Sequence, residues 1–198
     1  MTRKRPPRNA RPAHQAKRPP EPVRPGYDSL GPADYYATHA ADYANPHEPI
    51  VRRLVEMWID RHTPPPATRI LDLACGSGEI TSVFRGRGFE NVTGVDPFTG
   101  PAFLRRTGLQ ALPRDFVDIS KGVLDDRSFD TIFCSFALHL AEPGLLPQVC
   151  HRLAAISPLL VILTPHKRPD IKPAWGWRLI EEVLDSRVRL RQYERSAP

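Results

Sequence analysis

The chain has 198 residues, enough for one domain of ordinary size and a tail. It is 40% hydrophobic and 25% charged, which suits a globular protein, and no apolar run approaches the ~18 residues that span a bilayer. Its three cysteines, Cys75, Cys134 and Cys150, form no C-x-x-C pair, which argues against a zinc ribbon and a disulfide framework. A reducing, cytoplasmic setting is expected, without a secretory signal, because no apolar stretch follows the basic N-terminus.

Charge divides the chain before any element does. Residues 1–25 hold eight Lys/Arg against one acid, Glu21, together with seven prolines. The remainder carries 20 basic and 21 acidic residues, so the whole net charge of +6 belongs to this first stretch. With Val23 as its one sizeable aliphatic, it cannot bury enough apolar surface to offset ordering entropy, and residues 1–26 are read as a disordered basic tail. Such a tail serves either as a solubilising leader or as an arm for weak contact with RNA or another polyanion. Its prolines disfavour an amphipathic transit helix.

Residues 27–198 read as one domain, with an N-terminal lid and helix over 27–62 and a core sheet over 68–198. Tyr27, Tyr35, Tyr36 and Tyr43 make the lid segment aromatic. After Asn45-Pro46 and His47, the residues Val51, Leu54, Val55, Trp58 and Ile59 follow the i, i+3, i+4, i+7, i+8 spacing of one buried helical stripe. Pro64-Pro65-Pro66 stops that helix. Residues 69–74 predict a buried strand, 75–78 a glycine turn, 79–87 a short helix ended by Gly88, and 91–96 a second strand. A helix over 103–107 and a short third strand within 108–116 are expected next. A fourth strand over 129–136, a helix over 145–156 and a fifth strand over 159–163 follow. The final stretch suits a strand pair, 177–183 and 188–193, with a helix over 177–184 as its rival.

Strands alternating with helices predict an α/β, doubly wound, mostly parallel sheet of the seven-stranded Rossmann-like type, closed by an antiparallel C-terminal pair. Such sheets bind ligands at the carboxyl ends of their strands. Gly76, Gly78, Asp96, Asp115 and Ser135 each fall just after a predicted strand, which places them at one shared site.

The first turn limits what that site holds. Glycines let a ligand approach bare backbone. A dinucleotide fingerprint needs a small residue where Thr81 stands, and no P-loop Lys follows, so a pyrophosphate ligand and a nicotinamide oxidoreductase are disfavoured. Asp72 would repel a phosphate and suits a cationic ligand. Asp96 lies near the spacing at which an acid takes ribose hydroxyls. A cationic nucleoside without pyrophosphate answers all three constraints, and S-adenosylmethionine is such a molecule.

Here the chain resembles the class I S-adenosylmethionine-dependent methyltransferases. Asp72-Leu73-Ala74-Cys75-Gly76-Ser77-Gly78 matches the first motif of that family, with Ala74 in place of its first glycine. The resemblance implies that this turn cradles the methionine part, with Asp72 holding its amino end. It implies Asp96 on both ribose hydroxyls, Pro97 or Phe98 beside the adenine, and Asp115-Phe116 as the adenine pair. The stretch from Phe129 through Ser135 to His139 resembles the fourth-strand motif of the small-molecule branch.

Methyl transfer from a sulfonium is an in-line displacement for which the protein mainly positions the acceptor and excludes water. His139 is the candidate base, and Tyr36, Tyr43 and His47 are candidates for the acceptor pocket. No metal ligand set is expected. The cationic loop Thr164-Pro165-His166-Lys167-Arg168-Pro169 either meets an acidic acceptor or is merely solvated. A monomeric enzyme acting on a small molecule is the expectation. Its rivals are an RNA or protein methyltransferase guided by the basic arm, and a cofactor-binding pseudoenzyme.

Overall fold

The computed structural model describes residue 45 and residues 47–196. The basic tail, the aromatic lid with Tyr36 and Tyr43, and Pro46 lie outside the described residues.

The elements run α1 (Glu48–His62), β1 (Ile70–Leu73), α2 (Glu79–Gly86), β2 (Val92–Val95), α3 (Gly100–Thr107), α4 (Phe116–Ser120), β3 (Thr131–Ser135), α5 (Leu146–Ile156), β4 (Leu159–Thr164), β5 (Trp177–Asp185) and β6 (Val188–Arg195). Short 3-10 turns occupy Leu138–Leu140 and Pro173–Trp175. In α1 the five-residue apolar stripe is buried, and Thr63 ends the helix in a left-handed conformation, its N–H donating to the Ile59 carbonyl.

The six strands are ordered β2-β1-β3-β4-β6-β5. β2, β1, β3 and β4 are parallel, and β6 pairs antiparallel with both β4 and β5. Alternate residues along each strand enter opposite layers. Leu71, Leu73, Ile132, Cys134, Leu160 and Ile162 pack with Ile119 of α4 and Val149 and Leu153 of α5. Ile70, Phe133, Val161 and Leu163 pack with Val55 and Trp58 of α1 and Ile80 and Phe84 of α2. Helices therefore cover both faces of the sheet, as a parallel βαβ arrangement requires.

Two expectations change in detail. The third strand within 108–116 shrinks to a single parallel bridge, Val95 with Leu112, and the seven-stranded sheet becomes one of six. Leu112 donates to Gly94 and accepts from Asp96, but the next donor of a parallel ladder, the Arg114 N–H, turns back to the Leu112 carbonyl at 2.9 Å. At the C-terminus the strand pair is correct and the rival helix is not. Ser186 and Arg187 both take left-handed φ, 46° and 69°, as a two-residue hairpin loop demands.

α1 braces this hairpin. Arg53 Nε donates to Asp185 Oδ2 at 2.7 Å, Arg61 pairs with Glu181, and the buried Trp58 indole donates to Gln192 Oε1 at 2.7 Å. No helix among the described residues is long and apolar enough to cross a membrane.

Candidate active site

The turn after β1 is built from left-handed backbone: φ is 55° at Ala74, 55° at Gly76 and 88° at Gly78. Glycine takes this conformation without penalty, whereas Ala74 pays about 1–2 kcal/mol for it. At Gly78 the missing Cβ also permits close packing. An added carbon would stand 2.5 Å from Thr107 Cγ2 and 3.1 Å from Phe103 Cδ2. Gly78 therefore seats the turn against α3.

Asp96, at the tip of β2, is almost fully buried. Its Oδ1 accepts from the Phe98 and Thr99 amides, both at 2.9 Å, and its Oδ2 accepts from the Gly76 amide at 3.1 Å. A carboxylate has about four acceptor positions. Three are taken by backbone N–H groups, which fix its orientation and leave one on Oδ2.

One cleft gathers most of the expected residues. Ala74, Gly76, Asp96, Pro97, Asp115, Phe116 and Ser135 all line it. It also exposes Phe98 and Phe136, whose rings give it flat apolar walls. Arg114 and Leu140 border it without having been anticipated, as does Phe136. Phe136 was hidden by strand periodicity, which puts it on the face of Cys134. Its left-handed backbone, φ 54°, instead brings the ring to the α1 layer. There it stacks on His47, with centroids 4.7 Å apart and planes 10° from parallel. Partial burial holds the His47 imidazole below its usual pKa.

Other expected residues stand behind the cleft. Asp72 is buried, and its Oδ2 accepts from the Thr81 amide at 3.1 Å and the Thr81 hydroxyl at 2.6 Å. Burial, with Glu79 and Asp96 nearby, pushes its pKa up to about 7. Cys75 donates its amide to Val95, and burial pushes its thiol far above the usual range. Ser77 donates to Glu79 Oε1 at 2.5 Å. Asp115 lines the cleft but is also the N-cap of α4, its Oδ1 accepting from the Asp118 amide at 2.8 Å in a reciprocal capping box.

His139 is not among the residues lining the cleft. It lies on the 3-10 turn beside Leu140, its ring meeting that of His166 edge-on at 4.7 Å and 65°. Among the described residues, no group of three or more His, Cys, Asp or Glu is disposed to hold a metal.

A polar network that the sequence did not reveal fastens α1 to the turn. The buried Glu79 carboxylate accepts from Ser77 and from the Asn45 amide at 3.3 Å, and lies 3.7 Å from Arg106. Arg106 pairs with Glu48 at the start of α1 and donates to Ser82 Oγ at 3.1 Å. The network joins three stretches far apart in the sequence, residues 45–48, 77–82 and 106.

Comparison with known proteins bears on the same region. Residues 70–157 match a family described as a methyltransferase domain. An uncharacterized protein of Schizosaccharomyces pombe is 30% identical, with 84% of each chain covered. A ubiquinone biosynthesis O-methyltransferase of Pseudomonas aeruginosa is 28% identical over 57% of this chain, which spans only half of that relative's length. Among solved structures, magnesium protoporphyrin IX methyltransferase from Synechocystis, with bound S-adenosylmethionine, superposes with a TM-score of 0.59. It covers 88% of this chain and 95% of its own at 17% identity, a likeness of fold.

Proposed function

The chain belongs to the class I S-adenosylmethionine-dependent methyltransferases, and on that premise we propose that it methylates a small molecule held against Phe136 at the carboxyl ends of β1, β2 and β3. The observation that carries this reading is the cleft itself. One buried acid with a single acceptor position to spare, a glycine backbone and flat apolar walls meet at the strand tips.

These groups fit the cofactor's chemistry. The spare position of Asp96 suits one ribose hydroxyl, fewer than the two implied by the resemblance. Phe98 and Phe116 supply apolar surface for a purine. Gly76 offers backbone unobstructed by a Cβ, and the buried Asp72 carboxyl, ionised above about pH 7, offers a negative charge to a cation in a low-dielectric setting. Bound S-adenosylmethionine supplies a methyl group already activated on a sulfonium.

The chain's own residues then have two tasks. Phe136, fixed by its stack on His47, presents a ring to the acceptor and keeps water away from it. The left-handed backbone at Phe136 costs about 1–3 kcal/mol, a strain that persists only where its surroundings impose it. His47 and the network around Glu79 keep the start of α1 in place over the turn. A relative named for O-methylation in ubiquinone biosynthesis supports a small acceptor.

Calorimetry with S-adenosylmethionine and S-adenosylhomocysteine tests the cofactor site. Mass spectrometry of a metabolite extract incubated with methyl-labelled cofactor tests the transfer. Saturable binding of both nucleosides and a labelled small product are expected. Failure of a folded sample to bind either nucleoside at millimolar concentration overturns the reading.

A further inference from the structure

The loop after β4, residues 165–172, continues from the carboxyl end of the fourth parallel strand, on the side of the sheet where the cleft opens. It carries His166, Lys167 and Arg168 in succession. We propose that the methyl acceptor bears an oxyanion, a carboxylate or a phosphate, and that these three residues receive it. The proposal rests on the methyltransferase reading and names the acceptor's class.

The loop is built rather than loose. Arg191 of β6, only 9% exposed, reaches beneath it. Its Nη1 donates to the Lys167 carbonyl at 2.8 Å and the Pro169 carbonyl at 3.2 Å, while its Nε donates to Glu182 Oε2 at 2.6 Å. Thr164 adds two ties, its hydroxyl donating to the Arg168 carbonyl at 3.4 Å and accepting from the His166 amide at 3.1 Å. A nearly buried guanidinium committed to two loop carbonyls sets the backbone that carries His166, Lys167 and Arg168.

None of residues 165–172 lines the cleft, and the loop approaches it through His166. The His166 ring rests edge-on against His139, and His139 is flanked on its turn by Leu140, which borders the cleft. The charge placed there is not used internally. Lys167 and Arg168 are exposed, and no ion pair among the described residues takes up either. The neighbouring Asp170 pairs with Lys172 instead. Outside the first 25 residues acids outnumber bases by one, so three successive cationic or protonatable side chains are a local feature.

An ammonium and a guanidinium are donors without acceptors, and their complement is an oxyanion. Phe136, Ala137 and Leu140 make one wall of the cleft apolar, so a charge held at the acceptor's outer edge gives the orientation that Phe136 alone cannot impose.

The test uses the full chain saturated with S-adenosylhomocysteine, so that the nucleoside's own carboxylate is already placed. Benzoate, phenyl phosphate and the neutral isostere benzamide are titrated at millimolar concentration by ligand-observed NMR, against wild type and the double variant K167A/R168A. At least one of the two anions is expected to bind, tenfold or more tightly than benzamide. That preference is expected to weaken with added salt and to be lost in the double variant, with affinity for S-adenosylhomocysteine unchanged within twofold. Which anion binds distinguishes carboxylate from phosphate. Equal binding of benzamide, an undiminished preference in the double variant, or no binding of either anion to the nucleoside-loaded protein overturns the proposal. Failure of the nucleoside itself to bind instead overturns the methyltransferase reading.

Discussion

The Gly76 amide donates to Asp96 Oδ2 across 3.1 Å, joining the turn after β1 to the tip of β2. This bond and the two Asp96 accepts from Phe98 and Thr99 aim the carboxylate at the cleft. The side chain proposed to hold the ribose is thus also the clamp that shapes the loop beside it.

Asp96→Ala is therefore expected to weaken S-adenosylhomocysteine binding by ~1.5–3 kcal/mol, the worth of a charge-assisted hydrogen bond. Asp96→Asn keeps one acceptor oxygen and is expected to lose less. Calorimetry on the three proteins measures both effects, and equal affinities would remove Asp96 from the ribose.

Gly94 and Gly78 are expected to tolerate no side chain. A Cβ at Gly94 would lie 2.4 Å from Phe103 Cζ, and one at Gly78 would meet Thr107 while holding φ at 88°. Each Gly→Ala change is expected to cost about 1–3 kcal/mol, by overpacking at Gly94 and by overpacking with strain at Gly78. Urea melts of the two variants give the values directly.

Ala74→Gly runs the other way. Relief of the left-handed penalty exceeds the added entropy of the unfolded chain, and a gain of about 1 kcal/mol is expected. For a chain of this size that is a rise of about 2–4 °C in Tm, read by calorimetric scanning.

Asp72 makes stability depend on pH. Its pKa rises from 3.8 to about 7 on folding, so between those values the native state holds a proton that the unfolded chain has released. Stability of the ligand-free protein is therefore expected to fall as pH rises from about 4 to about 7, and Asp72→Asn is expected to flatten that slope. Cation binding favours the ionised carboxylate, so affinity for S-adenosylmethionine and for S-adenosylhomocysteine, which share the same ammonium group, is expected to grow through about pH 7. Titrations of both nucleosides at several pH values read this rise.

The parts of the site that the sequence disclosed are those made by neighbours in the chain. Strand, glycine turn and helix from Ile70 to Gly86 follow from local patterning, and the alternation of strands and helices predicted the sheet. Long-range and dihedral facts were not legible. Nothing local pairs Arg106 with Glu48, and periodicity misplaces Phe136 because it cannot anticipate a left-handed residue at the strand's end. The hairpin at Ser186-Arg187 lacks the Asn-Gly signal of its turn type, which left a helix competing. Asp115 illustrates the opposite lesson, since a residue expected beside a base is also held in a helix cap.

α1 touches the molecule at two distant places. Its first turn is bound to the glycine loop through Glu48 and Arg106, and its last turns to the C-terminal hairpin through Trp58 and Arg61. The family match at 70–157 contains neither α1 nor the hairpin. A fragment cut to that match would lose β4 as well, would uncover Ile70, Phe84 and Phe133 where α1 now shields them, and would not stand as an autonomous folding unit.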